Sequence, residues 1–481
     1  MAEKSVFGID KVALEKLDFE LAIKRIKSDV RSDFILAPHL SCIYKDCKDD
    51  LIADVKKLAL SGVFGPSLPI TIDVPKKQRI RGVGIKRLPP NYVRPGGILY
   101  PRDRLLLQAM ADVAQPIIEE KLNRSICFSH QPAPKPIEHR MFLSSRRCWT
   151  QMQKQIATLI AGGPKVVLRA DIASCFQSIN QHTLVNTLDG LGFPKEYVKP
   201  LESMLTQEST DRSSRGIIQG IYPSDLFGNF YLYPVDRHLS DAGIPSIRYV
   251  DDIYAFFESH EQADKAIIQL YPELRRLDLS LNEAKSCITT PVGLLTSDPD
   301  LDALFDAAIA EIQATYAAGE PEEILTDYGF QVIWEEAESG DELDDQTIEL
   351  LATQLLFDQI PKYAENREEI ERFCLPLFAE FGSDYALEHV LSKIGSCPSM
   401  SQIYFSYLSQ FLDSDGVKEK VCHVIRERKL IFDWEYLWAI GTLVQMDSVD
   451  DSIVASLLIL LCQVFRIAAV SACINGSERG G

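Results

Sequence analysis

Apolar residues recur at helical spacing through residues 1–75. Val12, Leu14, Leu17, Phe19, Leu21, Ile23 and Ile26 predict helices there, and Pro66, Pro69 and Pro75 end the pattern. Another amphipathic helix is predicted from Leu105-Leu106-Leu107-Gln108-Ala109-Met110 to about Leu122. The period then shortens. Residues 165–172 follow Gly162-Gly163-Pro164 as a short apolar run that reads as a buried strand, with Asp171 at its end; helical spacing resumes around Leu184, Val185 and Leu188. Residues 215–229 are punctuated by Gly216, Gly220 and Gly228 and open a helix that runs through Tyr231 and Leu232. In residues 246–257 two runs rich in β-branched and aromatic side chains flank Asp251 and Asp252, which predicts a β-hairpin turning at the aspartates. A helix over 262–270 and a strand over 277–281 follow.

Beyond Pro291 no β-rich run occurs. Helical blocks are predicted near 346–360, 366–380, 384–394, 400–413, 416–429, 432–446 and 450–470, lengths that suit stacked helical pairs, although no sequence repeat is present. Residues 335–345 read as a solvated acidic linker. The apolar stretch 452–474 is interrupted by Gln463 and Arg466, so it predicts a buried core helix and no membrane span.

A chain of 481 residues with 46% hydrophobic and 25% charged content is that of an ordinary globular protein with room for two to four domains. Eleven cysteines without a Cys-x-x-Cys pair predict free thiols in a reducing cytosol and no zinc site. The first residues lack a basic region followed by an apolar run, so no secretory signal is expected. Charge divides the chain. Residues 1–290 hold 39 basic and 34 acidic side chains, a balance of +5, whereas 291–481 hold 11 and 35, a balance of −24. The first part is suited to face a polyanion and the last to repel one. Basic residues concentrate from Lys76 to Arg104 against a single Asp103, interleaved with glycines and with Tyr92 and Tyr100, which predicts phosphate contact.

Adjacent carboxylates on a tight turn between buried strands repel each other and lose hydration unless a cation neutralises them. Mg²⁺ suits Asp251 and Asp252 because it takes hard oxygen ligands and needs only one or two protein carboxylates beside substrate phosphates. The tetrapeptide 249–252 alone is equally compatible with a solvated surface turn, and Asp171 alone with a helix N-cap. The glycine-punctuated loop at 215–229 is no Walker loop, since Gly-Lys-Ser/Thr is missing.

In order along residues 76–290, these stretches resemble a reverse transcriptase. Residues 93–108 (VRPGGILYPRDRLLLQ) look like the fingers motif of bacterial members, and Ala170-Asp171-Ile172-Ala173-Ser174-Cys175-Phe176 looks like motif A. Gly216-Ile217-Ile218-Gln219-Gly220 with Pro223-Ser224 looks like motif B, Tyr249-Val250-Asp251-Asp252 like motif C, and Leu281-Asn282 with Lys285 like motif D. The resemblance implies two Mg²⁺ ions bridged by Asp171 and Asp251, with Asp252 as a third carboxylate and the Ile172 carbonyl as a further ligand. It implies that Phe176 is a steric gate favouring dNTPs over rNTPs and that Gln219 and Gly220 pack beneath the nascent pair and template. Arg94, helped by Lys86, would grip the triphosphate, and Lys285 is either a general acid for the leaving pyrophosphate or a surface lysine.

The chain also departs from the family. Ser174 stands where motif A often has a second acidic residue, Ile221-Tyr222 precede Pro223 where small residues are common, and no basic thumb follows motif D. This layout resembles the abortive-infection and "unknown group" reverse transcriptases of bacteria. In those relatives an α-helical repeat domain replaces the thumb, and some synthesise DNA without a template from a protein tyrosine. Tyr316, Tyr328, Tyr363, Tyr385, Tyr404, Tyr407 and Tyr436 are the candidates in the helical region.

The expected fold is α+β: an N-terminal helical segment (1–75), reverse-transcriptase fingers and palm (76–290), and an acidic all-α, repeat-like domain (291–481) replacing the thumb. The expected function is RNA-directed or template-independent DNA polymerisation in antiphage defence. The alternatives are a templated enzyme with a dedicated non-coding RNA and a non-catalytic nucleic-acid-binding scaffold. Expected partners are dNTPs, a DNA product or RNA, and further copies of the chain, in the cytoplasm and away from membranes.

Overall fold

The structure, a computed structural model, describes residues 6–30, 35, 37–84, 89–135, 137–208, 214–296, 301–317, 345–427 and 429–444. Lys86, Tyr328, nearly all of the acidic stretch 335–345, the last predicted helical block and the apolar stretch 452–474 lie outside the described residues. The chain divides into two compact units: Met1–Asp73 with Pro95–Thr296, and Val74–Arg94 with Ser297–Gly481.

The first unit is built on a four-stranded sheet. Its strands follow a two-stranded ribbon of β1 (Ile70–Arg79) and β2 (Asn91–Ile98). The sheet comprises β3 (Val166–Asp171), β4 (Ser246–Tyr249), β5 (Asp252–Phe257) and β6 (Cys287–Thr289), in the order β4-β5-β3-β6. β3 is central and antiparallel to both neighbours. Side chains alternate between faces along a strand, and here both faces are covered. Val166, Leu168, Ala170, Ile253, Ala255 and Phe257 join the main core, while Val167, Ile247, Tyr254 and Phe256 pack with Phe128, Met152 and Ile156. Met152 and Ile156 belong to the helix Ser145–Ala161.

The N-terminal helices share the main core. Asp18 caps Phe19–Asp29 by accepting from the Leu21 N–H at 2.9 Å, and Phe19, Ala22, Ile23 and Ile26 form its buried stripe. The helix predicted from Leu105 begins at Pro101, whose fixed φ suits the first helical position, and runs to Glu119. It is buried almost all round, so its polar residues need partners: Arg104 pairs with Asp29 at 2.8 Å and Asp103 accepts from the Ser67 N–H at 2.9 Å.

The strand predicted over 277–281 does not form. Asp278 takes a positive φ of 56°, which breaks the extended run, and only Leu281 bridges Ile172. The sheet's edge is Cys287–Thr289 instead.

In the second unit the described residues of 301–444 are helical with short turns, from Leu301–Ala317 to Asp433–Val444. Its core holds a buried polar cluster. Glu371, fully buried, accepts from Tyr404 Oη at 2.6 Å, hydrogen-bonds His389 Nε2 at 2.8 Å and pairs with Arg367 at 3.4 Å. Within the same unit Lys77 pairs with Glu369 at 2.8 Å, and Arg79 donates to the Ser396 and Pro89 carbonyls. With Arg102 on Ser67 and Asp103, and Arg104 on Asp29, four residues of the basic run expected at phosphate are engaged within the protein. For Lys77 the reason is electrostatic: the strongly acidic helical region supplies its partner.

Candidate active site

Asp171 ends β3 and Asp252 begins β5, and the antiparallel register sets them directly opposite each other. Residues so paired project from the same face. Asp251 occupies the turn between β4 and β5, and its carbonyl accepts from the Ile172 N–H at 3.2 Å, which ties the turn to the end of β3. Burial, then Asp251 and then Asp171 push the Asp252 carboxyl up to about 6. Burial aided by Asp251 and Asp171 likewise pushes the Cys175 thiol up to about 12.

The Asp171 side chain is partnered. Oδ1 receives Lys285 Nζ at 2.7 Å and Oδ2 receives Asn282 Nδ2 at 2.9 Å. Its backbone is held by the same segment: the carbonyl accepts from the Asn282 N–H at 2.7 Å, and the N–H donates to Ser286 Oγ at 3.1 Å. Lys285 is half-exposed and Asp171 is buried, so the pair lies at the rim of the site.

The turn is strained. Tyr249 pairs with Asp252, leaving Val250 and Asp251 as a two-residue connection, and Val250 has a φ of +54°. This first position is where a type II′ turn calls for glycine, and a left-handed L-residue costs roughly 1–2 kcal/mol. Both peptide groups of Val250 are held from outside the hairpin ladder. Its N–H donates to Ser129 Oγ at 3.0 Å, and its carbonyl accepts from Arg248 at 2.9 Å.

The loop at 214–221 approaches the segment after β3. Gly216 has a φ of +88° and its N–H donates to the Ile179 carbonyl, while the Ile217 N–H donates to the Phe176 carbonyl at 3.0 Å. Gly220 has a φ of +92°. Gln219 and Gly220 line a small cleft with Gly97, Ile98 and Arg104. The Phe176 ring is buried against Gly228, where an added Cβ would lie 2.9 Å from ring carbon Cε1.

The profile of the reverse transcriptase (RNA-dependent DNA polymerase) family matches residues 74–326, just over half of the chain. The chain belongs to the reverse transcriptase family. Enzymes of that family are nucleotidyltransferases and generally use divalent metal ions. Comparison with curated proteins returns no match. Among solved structures, a Candida tropicalis telomerase truncated from its C-terminal domain is similar at 14% identity over 52% of this chain and 55% of that one, with a TM-score of 0.31. The first of these structures is thus matched over little more than half its length. Telomerase from Candida albicans with a TWJ fragment of telomeric RNA gives 11% identity, 78% and 69% coverage and a TM-score of 0.31. Apo telomerase from Candida tropicalis gives 11%, 85%, 73% and 0.32.

The motif residues of this chain are thus partly gathered. Asp171, Ile172, Asp251, Asp252 and Lys285 meet at the sheet end, and Phe176, Gln219 and Gly220 lie on the adjoining segments. Arg94 lies on β2, in the second unit. Among the described residues no three His, Cys, Asp or Glu side chains stand together as a ready metal cage. The donor set nonetheless fits a hard divalent cation. Burial and the neighbouring Asp251 and Asp171 penalise the charged form of Asp252, a cost that a cation would offset, and an ion completed by substrate phosphates needs only one or two carboxylates. A cation approaching Asp171 Oδ1 would meet the Lys285 ammonium already hydrogen-bonded there.

Sequence reasoning missed the buried residues behind the turn. Arg248 is fully buried, donates to both carboxylate oxygens of Asp236 at 2.7 and 2.6 Å, and donates to Asn229 Oδ1 at 2.8 Å. A lone arginine within the apolar run 246–257 was the available signal. Among the described residues, no helix is long and apolar enough to cross a membrane.

Proposed function

We propose that this chain is a DNA polymerase of the reverse-transcriptase type, with Asp171, Asp251 and Asp252 as its catalytic carboxylates. The observation that carries this reading is the convergence of the β3 end with the Asp251–Asp252 turn, in a register that sets Asp171 opposite Asp252. Two Mg²⁺ ions, when bound, would supply charge neutralisation and activation of the attacking hydroxyl. Asp171 and Asp251 offer the first oxygens, Ile172 its carbonyl, and Asp252 the third carboxylate. Lys285 releases Asp171 and then donates a proton to the leaving pyrophosphate. Phe176 excludes a 2′-hydroxyl, Gln219 and Gly220 lie under the nascent pair, and Arg94 with Lys86 holds the triphosphate.

The resemblance of the motif layout to abortive-infection enzymes supports a role in antiphage defence, as a cytoplasmic homo-oligomer whose helical region replaces the thumb. An excess of acidic residues in that region favours protein contacts over nucleic acid. For protein priming, Tyr385 is the tyrosine whose accessible hydroxyl has a carboxylate partner. Its half-buried hydroxyl donates to both Asp358 oxygens at 2.9 Å, and burial raises the Asp358 carboxyl, so a base stands beside the nucleophile. Tyr404, Tyr407 and Tyr436 are buried, with hydroxyls donating to Glu371, Ser383 and Leu430. Tyr363 is half-buried, and the side chain of Tyr316 lies outside the described residues.

The test is incorporation of labelled dNTPs by purified protein with Mg²⁺, with and without RNase treatment and added template, analysed before and after protease digestion. Product that survives template removal and shifts on digestion supports untemplated, protein-primed synthesis. Product that appears only with RNA makes the chain a templated enzyme with an RNA partner. No product in either arm, or Asp251→Ala working at the parental rate, overturns the assignment in favour of a scaffold.

A further inference from the structure

Behind the Val250–Asp251 turn lies a closed polar network. Arginine has five N–H donors, and every one of Arg248's is used. Nε and one Nη2 donor meet Asp236, one Nη1 donor meets Asn229 Oδ1, the other meets the Val250 carbonyl, and the remaining Nη2 donor meets the Asn229 carbonyl at 3.2 Å. Asn229 Oδ1 also accepts from Ser129 Oγ at 3.0 Å, and Asn229 Nδ2 donates to the Ser129 carbonyl at 3.1 Å. Ser129 Oγ in turn accepts the Val250 N–H. The segment carrying Ser129 runs along β4: the Arg248 N–H donates to the Ile126 carbonyl at 2.8 Å, and the Phe128 N–H to the Arg248 carbonyl at 3.0 Å.

A β-branched residue does not hold a positive φ unless its surroundings over-determine it. Here the two groups that define the Val250 conformation, its N–H and its carbonyl, are both satisfied by this network. Asp251 is the next residue, so the position of its backbone, from which the carboxylate projects, follows from that conformation.

We infer that Ser129, Asn229 and Arg248, anchored by Asp236, form a brace that keeps Val250 left-handed and thereby sets the position of Asp251 for metal binding. These are positioning residues: they touch the turn and not the reacting atoms. The inference rests on the proposed polymerase reading.

The test is a double-mutant cycle in the full chain between Ser129→Ala and Val250→Gly, because glycine adopts positive φ without support. Three quantities are measured: kcat and KM for dNTP, the Mg²⁺ concentration for half-maximal rate, and Mn²⁺ affinity by electron paramagnetic resonance without nucleotide. Thermal melting verifies the fold. Ser129→Ala is expected to lower kcat by about ten- to a hundredfold with little change in KM. It should also weaken Mn²⁺ binding, and both losses should shrink in the Val250→Gly background. Arg248→Lys, which keeps the charge but has only three donors, should behave likewise. Parental values for a folded Ser129→Ala protein, or equal losses in the two backgrounds, overturn the brace. If the parent binds Mn²⁺ but does not polymerise, the polymerase reading fails while the Mn²⁺ cycle still decides on the brace. A parent that binds no Mn²⁺ overturns both.

Discussion

Lys285 Nζ lies 2.7 Å from Oδ1 of Asp171. The ammonium thus stands against the carboxylate that the proposed mechanism assigns to metal, and it neutralises part of a crowded acidic site. A cation entering there must compete with it. Lys285→Met should therefore tighten Mn²⁺ binding in the absence of nucleotide, while lowering kcat about a hundredfold through loss of the general acid. Calorimetric metal titration and single-turnover incorporation read the two effects separately. Weaker metal binding in the variant would show that Lys285 supports the site and does not compete for it.

Asp252 supplies a pH test. Its folded carboxyl is raised to about 6 from an ordinary value of 3.8, so between these the native state binds more protons than the unfolded chain. Stability contributed by this group therefore falls as pH rises from about 4 to about 6 and stays low above. In metal-free protein with chelator, Asp252→Asn should melt higher than the parent at pH 7.5, and the advantage should vanish near pH 4. Melting curves across this range check it, and an advantage that grows towards acid would contradict the assigned sign.

Gly228 and Phe176 make a steric pair. An added Cβ at 228 comes 2.9 Å from the ring, so Gly228→Ala should cost about 1–3 kcal/mol by overpacking. It should cost much less in the Phe176→Ala background, where the ring is gone. Phe176→Ala alone should relax discrimination against rNTPs. Equal penalties in both backgrounds, read by chemical denaturation, would remove the contact from the account of the gate.

If synthesis is protein-primed, Tyr385→Phe should abolish the protease-sensitive shift of the product. Tyr404→Phe should leave that shift in place and lower stability by about 1–3 kcal/mol, because the Glu371 carboxylate loses a buried donor. Gel mobility before and after protease distinguishes them, and a product linkage unaffected by Tyr385→Phe excludes that residue as primer.

The sequence by itself determined the local elements and the order of the motifs. The short apolar run in 165–172 and the β-branched and aromatic runs in 246–257 became β3 and the β4–β5 hairpin, and the triplet Leu105-Leu106-Leu107 lies in the buried helix Pro101–Glu119. Such patterns act between residues a few positions apart, so they are legible without a fold. Tertiary structure decided the rest. Lys285 and Asp171 are 114 residues apart, Ser129 and Val250 121, and Lys77 and Glu369 292. No periodicity links positions at such separations. Their pairing follows from how strands and helices close on one another, and from the need of each buried polar group to find a partner once water is excluded. The sequence shows an arginine within a strand, four basic residues near a glycine-rich hairpin and a valine before two aspartates. Only the packed structure makes the first a brace for the third and turns Lys77, Arg79, Arg102 and Arg104 towards partners within the protein.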